Sequence, residues 1–196
     1  MTDLDKVIIE QIERTEENLL AASECSRVLP FVMLRLLQKR IGKIRKKLEE
    51  VGGEQIFVVK DISMNPDLYI WKHVAPIACS YTSEKVDLRG YEIRLEPTAN
   101  NFSNFYLGLR RPQWLAQATE FEEQVHDFFN NNFFNEKIRS QVKPDGWWVW
   151  SVALSPPWNN WWHNDVLRAL YGEELMEPEH DFLRLCSLLK QYLDIC

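Results

Sequence analysis

Few side chains in this sequence of 196 residues are of a type and spacing that could do chemistry. His163, Asn164 and Asp165 stand beside a tryptophan cluster, with Glu173, Glu174, Glu179 and His180 downstream. A metal ion or an acid–base pair needs such groups to converge. His163 and Asp165, two apart at the start of a helix, point different ways, and Asp165 is better placed as a dipole or capping partner. His73 and His126 are isolated and read as structural. The four cysteines, Cys25, Cys79, Cys186 and Cys196, form no CxxC pair, which argues against a zinc knuckle and for free thiols. No GxSxG, Walker A or GxGxxG motif occurs. No catalytic residue, cofactor or metal is therefore expected.

Binding chemistry is better represented. Between Arg35 and Lys47 the chain carries Arg35, Lys39, Arg40, Lys43, Arg45, Lys46 and Lys47 with no acidic residue. Such a run either faces phosphates or is a solvated helix face paired with an acidic neighbour. The second aromatic feature is DGWWVWSVALSPPWNNWWHND, residues 145–165, which holds Trp147, Trp148, Trp150, Trp158, Trp161 and Trp162 of the chain's eight tryptophans. On a strand, Trp148 and Trp150 should share one face and Trp147 the other. The cluster either closes a core beneath the terminal helices or recognises bases and partner side chains by stacking.

The elements that must position these residues follow from periodicity. Residues 3–24 repeat apolar side chains near helical spacing and are rich in glutamate. A break is expected at Cys25–Arg27, with Ser26 as cap and Pro30 in the first turn of a second helix spanning about 28–50. There Leu34, Leu37, Ile41, Ile44, Leu48 and Val51 form an a/d seam of coiled-coil type, which Gly52-Gly53 ends. Two such helices should pair antiparallel as a hairpin. After residue 53 the period becomes extended. Strands are expected at 55–60, with ambiguous segments at 68–74 and 76–81. Tyr91–Glu96 and Phe105–Arg110 should make an antiparallel hairpin, half-exposed, with its turn at 97–101. A helix follows over 114–134, a basic connector over 137–143, a strand over 147–154, and helices over 160–171 and 179–193.

The expected fold class is thus α+β: an N-terminal antiparallel helical hairpin, residues 1–53, then an antiparallel sheet packed with C-terminal helices in a Trp-rich domain, 54–196. A net charge of −6, 45% hydrophobic and 27% charged residues suit a globular domain and exclude an overall basic field. The acidic start Met1–Asp5 is unlike a signal peptide, and no apolar run is long enough to span a bilayer. A cytoplasmic protein with no membrane partner is expected.

The strand pair Tyr91–Leu95 with Asn101–Arg110, and Gly146–Trp150 followed by Trp158–Trp162, resemble a module found after the nuclease core in certain phage-associated proteins of the PD-(D/E)XK superfamily. The resemblance spans residues 26–193 and implies an accessory module. The superfamily's metal-holding Asp, then an acidic residue and a Lys one position apart, are not reproduced. Pro66-Asp67 and Pro144-Asp145 are present, but Ser83-Glu84-Lys85 lacks the intervening residue.

Three functional classes follow, in this order. The first is a non-catalytic interaction or accessory module, phage- or defence-related, pairing with a protein partner or with itself through the hairpin. The second is a nucleic-acid binder or nuclease accessory subunit, using Arg35, Lys39, Arg40, Lys43, Lys46 and Arg110 with stacking by Trp148, Trp150, Trp158 and Trp161. The last is a degenerate metal-dependent nuclease using Asp61, Asp67, Glu84 and Lys85.

Overall fold

The computed structural model describes residues 3–50, 57–60, 77–81, 88–99, 103–112, 114–115, 119–133, 141–142, 147–161 and 163–195. Within them the helices are α1 (Asp3–Ile12), α2 (Glu16–Glu50), α3 (Glu120–Asn132), α4 (Asn164–Tyr171) and α5 (Glu177–Ile195). The strands are β1 (Phe57–Val59), β2 (Ile77–Tyr81), β3 (Glu92–Ala99), β4 (Ser103–Arg110), β5 (Gln141–Val142) and β6 (Trp148–Ala153). They form one antiparallel sheet in the order β1-β2-β3-β4-β6-β5. This is an α+β fold with helices before the sheet and helices after it. No described helix is long and apolar enough to cross a membrane.

The N-terminal helices divide at a different place from the one expected. No break occurs at Cys25–Arg27; α2 runs unbroken for 35 residues, through Pro30. The interruption falls at residues 13–15. There the hydroxyl of Thr15 accepts the Asn18 backbone N–H at 3.1 Å, and Glu16 and Glu17 occupy the first turn. An N-cap threonine followed by acidic residues satisfies orphan donors and suits the positive end of the helix. Pro30, inside the helix, costs it one backbone hydrogen bond.

The seam of α2 is buried, but against the domain. Leu37, Ile41, Ile44 and Leu48 join a single core with Val59, Met176 and Leu185. The side chain of Leu34, and Val51, lie outside the described residues. The last four turns of α2 thus share the core of the sheet.

One face of the sheet is apolar and is covered by helices. Ile77, Cys79, Ile93, Leu95, Leu107, Leu109 and Val152 all lie at or below 3% exposure, and α3 packs on β6 while α5 packs on β3 and β4. α3 is fixed at its start by a capping box: Thr119 accepts the Glu122 N–H, and Glu122 accepts the Thr119 N–H. Glu122 also accepts from Tyr91 Oη at 3.0 Å and pairs with Arg111, tying α3 to the strand pair.

The other face carries charge. Along β3, Glu92, Arg94 and Glu96 alternate with Ile93 and Leu95. Lys60 donates to Glu92, Arg94 bridges Glu92 at 2.6 Å and Glu96 at 2.9 Å, and Arg110 reaches Glu96 at 3.3 Å. Glu92 and Glu96 are each only 8% exposed, so the strand pair is less open than a half-exposed hairpin would be. Residues 141–142, expected within a basic connector, are an edge strand on β6. Expected strand 68–74 lies outside the described residues.

Candidate interaction site

Ten residues were candidates for contact with a partner or nucleic acid, and the structure separates them into three sets.

The first set is internal. Arg40 has no exposed surface and forms an ion pair with the equally buried Glu179. Its Nε donates to Glu179 Oε1 at 2.7 Å, and its remaining nitrogens reach the carbonyls of Gly172 at 2.9 Å and Glu174 at 2.6 Å. Glu179 in turn accepts the Met176 N–H at 2.7 Å. Arg40 therefore joins α2 to the α4–α5 connection and leaves the phosphate-facing stripe. Trp161 is wholly buried, stacked on Phe105 with centroids 4.4 Å apart. Trp150 packs edge-on against Phe129 and Phe133 of the α3 region and donates to Asn130 at 2.9 Å. Its cover is α3, not the terminal helices.

Trp148 and Trp150 do not share a face. Trp150 pairs with Leu109 while Trp148 pairs with Arg110, a register shift that leaves Val149 extra in β6. An inserted residue resets the period of two, sending Trp150 to the apolar side and Trp148 to the charged side. Trp148 is 8% exposed, which leaves little ring surface for stacking on a base.

The second set is held but partly open. Arg110 pairs with Glu96 and lies 5.3 Å from the Trp147 ring centroid. Burial lowers its pKa, aided by the like charge of Arg94 and opposed by Glu96 and Glu92. Trp158 is part-buried and donates to Glu177 at 2.9 Å. Lys43 donates to the Gly172 carbonyl at 2.6 Å and pairs with Glu173 at 3.2 Å.

The third set is exposed: Arg35, Lys39 and Lys46. Beside Lys46 lies an open cleft of about 470 Å³ whose wall carries Lys43, Lys46 and Lys47 but also Glu50, Glu173 and Glu174. Equal numbers of cations and carboxylates leave it without a strong field for an anion. Arg40, Lys43 and Lys47 take Glu179, Glu173 and Glu50 as acidic partners, and none of these three carboxylates belongs to α1.

None of the ten candidates lies in the N-terminal helical arm, although a partner was expected to pair through the hairpin that contains it. Most of the described side chains of α1 and the first half of α2 are exposed, and among them apolar ones face solvent: Val7 at 52%, Leu19 at 58% and Leu20 at 59%, with Ile8, Ile9 and Val32 also exposed. Leu19 and Leu20 belong to the run that repeats apolar side chains near helical spacing. What separates them from Leu37 and Ile41 is that, among the described residues, the sheet and α5 pack on the C-terminal half of α2 only.

Chemistry outside these surfaces is sparse. His163 caps α4, its Nδ1 accepting the Asp165 N–H at 3.3 Å, and Asp165 pairs with Arg168. Among the described residues no three His, Cys, Asp or Glu side chains converge as a metal site. Asp61, Asp67, His73, Glu84, Lys85 and Asp145 lie outside the described residues. No family model, curated protein or solved structure matches this chain.

Proposed function

We propose that this protein is a non-catalytic interaction module in which a rigid α+β domain presents a projecting helical arm to a protein partner. The observation that carries the reading is the two-part character of α2. Its C-terminal half is locked into the core by Leu37, Ile41, Ile44, Leu48 and the Arg40–Glu179 pair. Its N-terminal half, with α1, holds large apolar side chains in water. A helix of 35 residues is roughly 52 Å long, and its buried seam, Leu36 to Leu48, occupies only the C-terminal part of that length. Apolar surface on such an element is removed from water when it docks.

A photo-reactive residue at position 20 tests this, with one at Tyr171, exposed on the domain, as control. Protein adducts from position 20 and not from position 171 are expected. Adducts from neither position, or from the control alone, would contradict the proposal.

A second reading, a nucleic-acid binder, is favoured by one observation: Arg35, Lys39 and Lys46 are all exposed. Binding led by three phosphate contacts would lose affinity as salt rises, with a slope of roughly three in log–log terms. Absence of binding at low salt removes it.

A further inference from the structure

The side of α2 that faces away from the domain carries its charge in two blocks. Glu17, Ala21, Glu24, Arg35, Lys39, Gly42 and Lys46 fall along one line of the helix, and all are exposed. At 100° per residue this line lies opposite the buried seam of Leu37, Ile41, Ile44 and Leu48. Its N-terminal block is acidic and its C-terminal block is basic. Both blocks belong to one continuous helix, with Glu17 and Lys46 roughly 44 Å apart, so they cannot meet within one chain.

We propose that the arm's partner is a second copy of this chain, laid antiparallel along α2. This rests on the docking reading above and names its partner. One register pairs the two glutamates of the acidic block with two lysines of the basic block. Glu17 then lies opposite Lys46 of the partner subunit and Glu24 opposite Lys39 of the partner subunit. Ala21 faces Gly42 of the partner subunit, and by two-fold symmetry every contact occurs twice. Leu20 and Val32, both exposed, flank the line and supply apolar area on either side. A parallel arrangement would instead set glutamate against glutamate and lysine against lysine.

Gly42 is an independent pointer. A glycine inside a helix weakens it, and is usually explained by a close neighbour. Here a Cβ at position 42 would meet nothing within 4 Å in its own chain. Paired with Ala21, the smallest side chains of the line face one another, which lets the two helices approach closely while the longer charged side chains reach across.

Sedimentation equilibrium of the full chain at low and high salt tests the proposal, using Lys39→Glu/Lys46→Glu and Glu17→Lys/Glu24→Lys. All four positions are exposed, and circular dichroism checks that both variants stay folded. The wild-type chain should be a dimer that loosens as salt screens the pairs. Each variant alone should be monomeric, an equimolar mixture of the two should form a heterodimer, and the chain carrying all four substitutions should dimerise again. A monomeric wild-type chain, a dimer that neither variant disturbs, or a mixture that stays monomeric would each overturn it. If the wild-type chain is monomeric but position 20 cross-links to a different protein, self-pairing fails and the docking reading stands. A monomer without any adduct ends both.

Discussion

Arg40 and Glu179 form an ion pair that no water reaches, between residues 139 apart in sequence. The guanidinium finds two further carbonyls, and the carboxylate a backbone N–H, so both charges are compensated by hydrogen bonds. Removing one partner strands the other charge. Glu179→Ala or Arg40→Ala should therefore destabilise the fold by about 3–5 kcal/mol, whereas the apolar pair Arg40→Met/Glu179→Leu should come close to the wild type. Urea unfolding of the three variants measures this. Equal losses in the single and double variants would show that the site does not act as a buried pair.

Gly108 lies opposite Ser151 where β4 pairs with β6. A Cβ there would lie 2.2 Å from the Trp150 carbonyl oxygen and 2.8 Å from Ser151 Cα, both backbone atoms. Backbone in a sheet interior yields little, so Gly108→Ala should cost about 1–3 kcal/mol. Thermal unfolding checks it, and an unchanged transition would mean that the bulge at Val149 absorbs a methyl group freely.

The pairing of Tyr91 with Glu122 predicts a pH effect. Burial, with the Glu122 charge and hydrogen bond adding to it, pushes the Tyr91 phenol up to about 12, against an opposing hydrogen bond from Thr119 and the nearby Arg111 charge. The folded state thus holds the proton more tightly than the unfolded chain does. This contribution to stability is complete below pH 10 and is lost as pH rises from 10 through 12. Stability measured across that range should fall less steeply in Tyr91→Phe. Identical slopes would contradict the assignment.

Cys79 and Cys186 face each other with sulfurs 3.5 Å apart and both side chains buried. Burial, reinforced by the hydrogen bond to Cys79, raises the Cys186 thiol well above the usual range. A thiol held neutral and out of water reacts slowly. Exposed Cys25 should be alkylated rapidly in the native protein, and Cys79 and Cys186 only on unfolding. Peptide mass mapping distinguishes the sites, and prompt native labelling of Cys186 would refute the prediction.

How much of this was legible in the sequence depends on how local its cause is. The strict alternation of Tyr91–Glu96 gave away β3, and Ser155-Pro156-Pro157 marked where β6 ends, because each signal is confined to a few residues. Two features were not legible for the opposite reason. Arg40 looked like its neighbours in the basic run, since the carboxylate that claims it arrives only when α5 folds against α2. The bulge at Val149 depends on pairing with β4, so a period of two assigned Trp148 to the wrong face. The helix start was visible in Thr15-Glu16-Glu17, yet Ser26 and Pro30 offered a competing signal that the folded chain overrides. The candidate site fared similarly: the cations of α2 were found, but the acidic half of the same line was assigned to a separate helix. The charge reversal along one face emerges only once residues 16–50 are a single element.

Hydrogen exchange along α2 tests the central claim most directly. The domain and the arm share this helix but differ in what protects them. Amides at 36–50 should exchange only through global unfolding, as core helices do. Amides at 16–34 should exchange quickly in the dilute, unassociated chain and slow markedly when a partner covers the arm. If residues 16–34 are as protected as the core in a monomer, the arm is packed rather than presented, and the interaction reading is wrong.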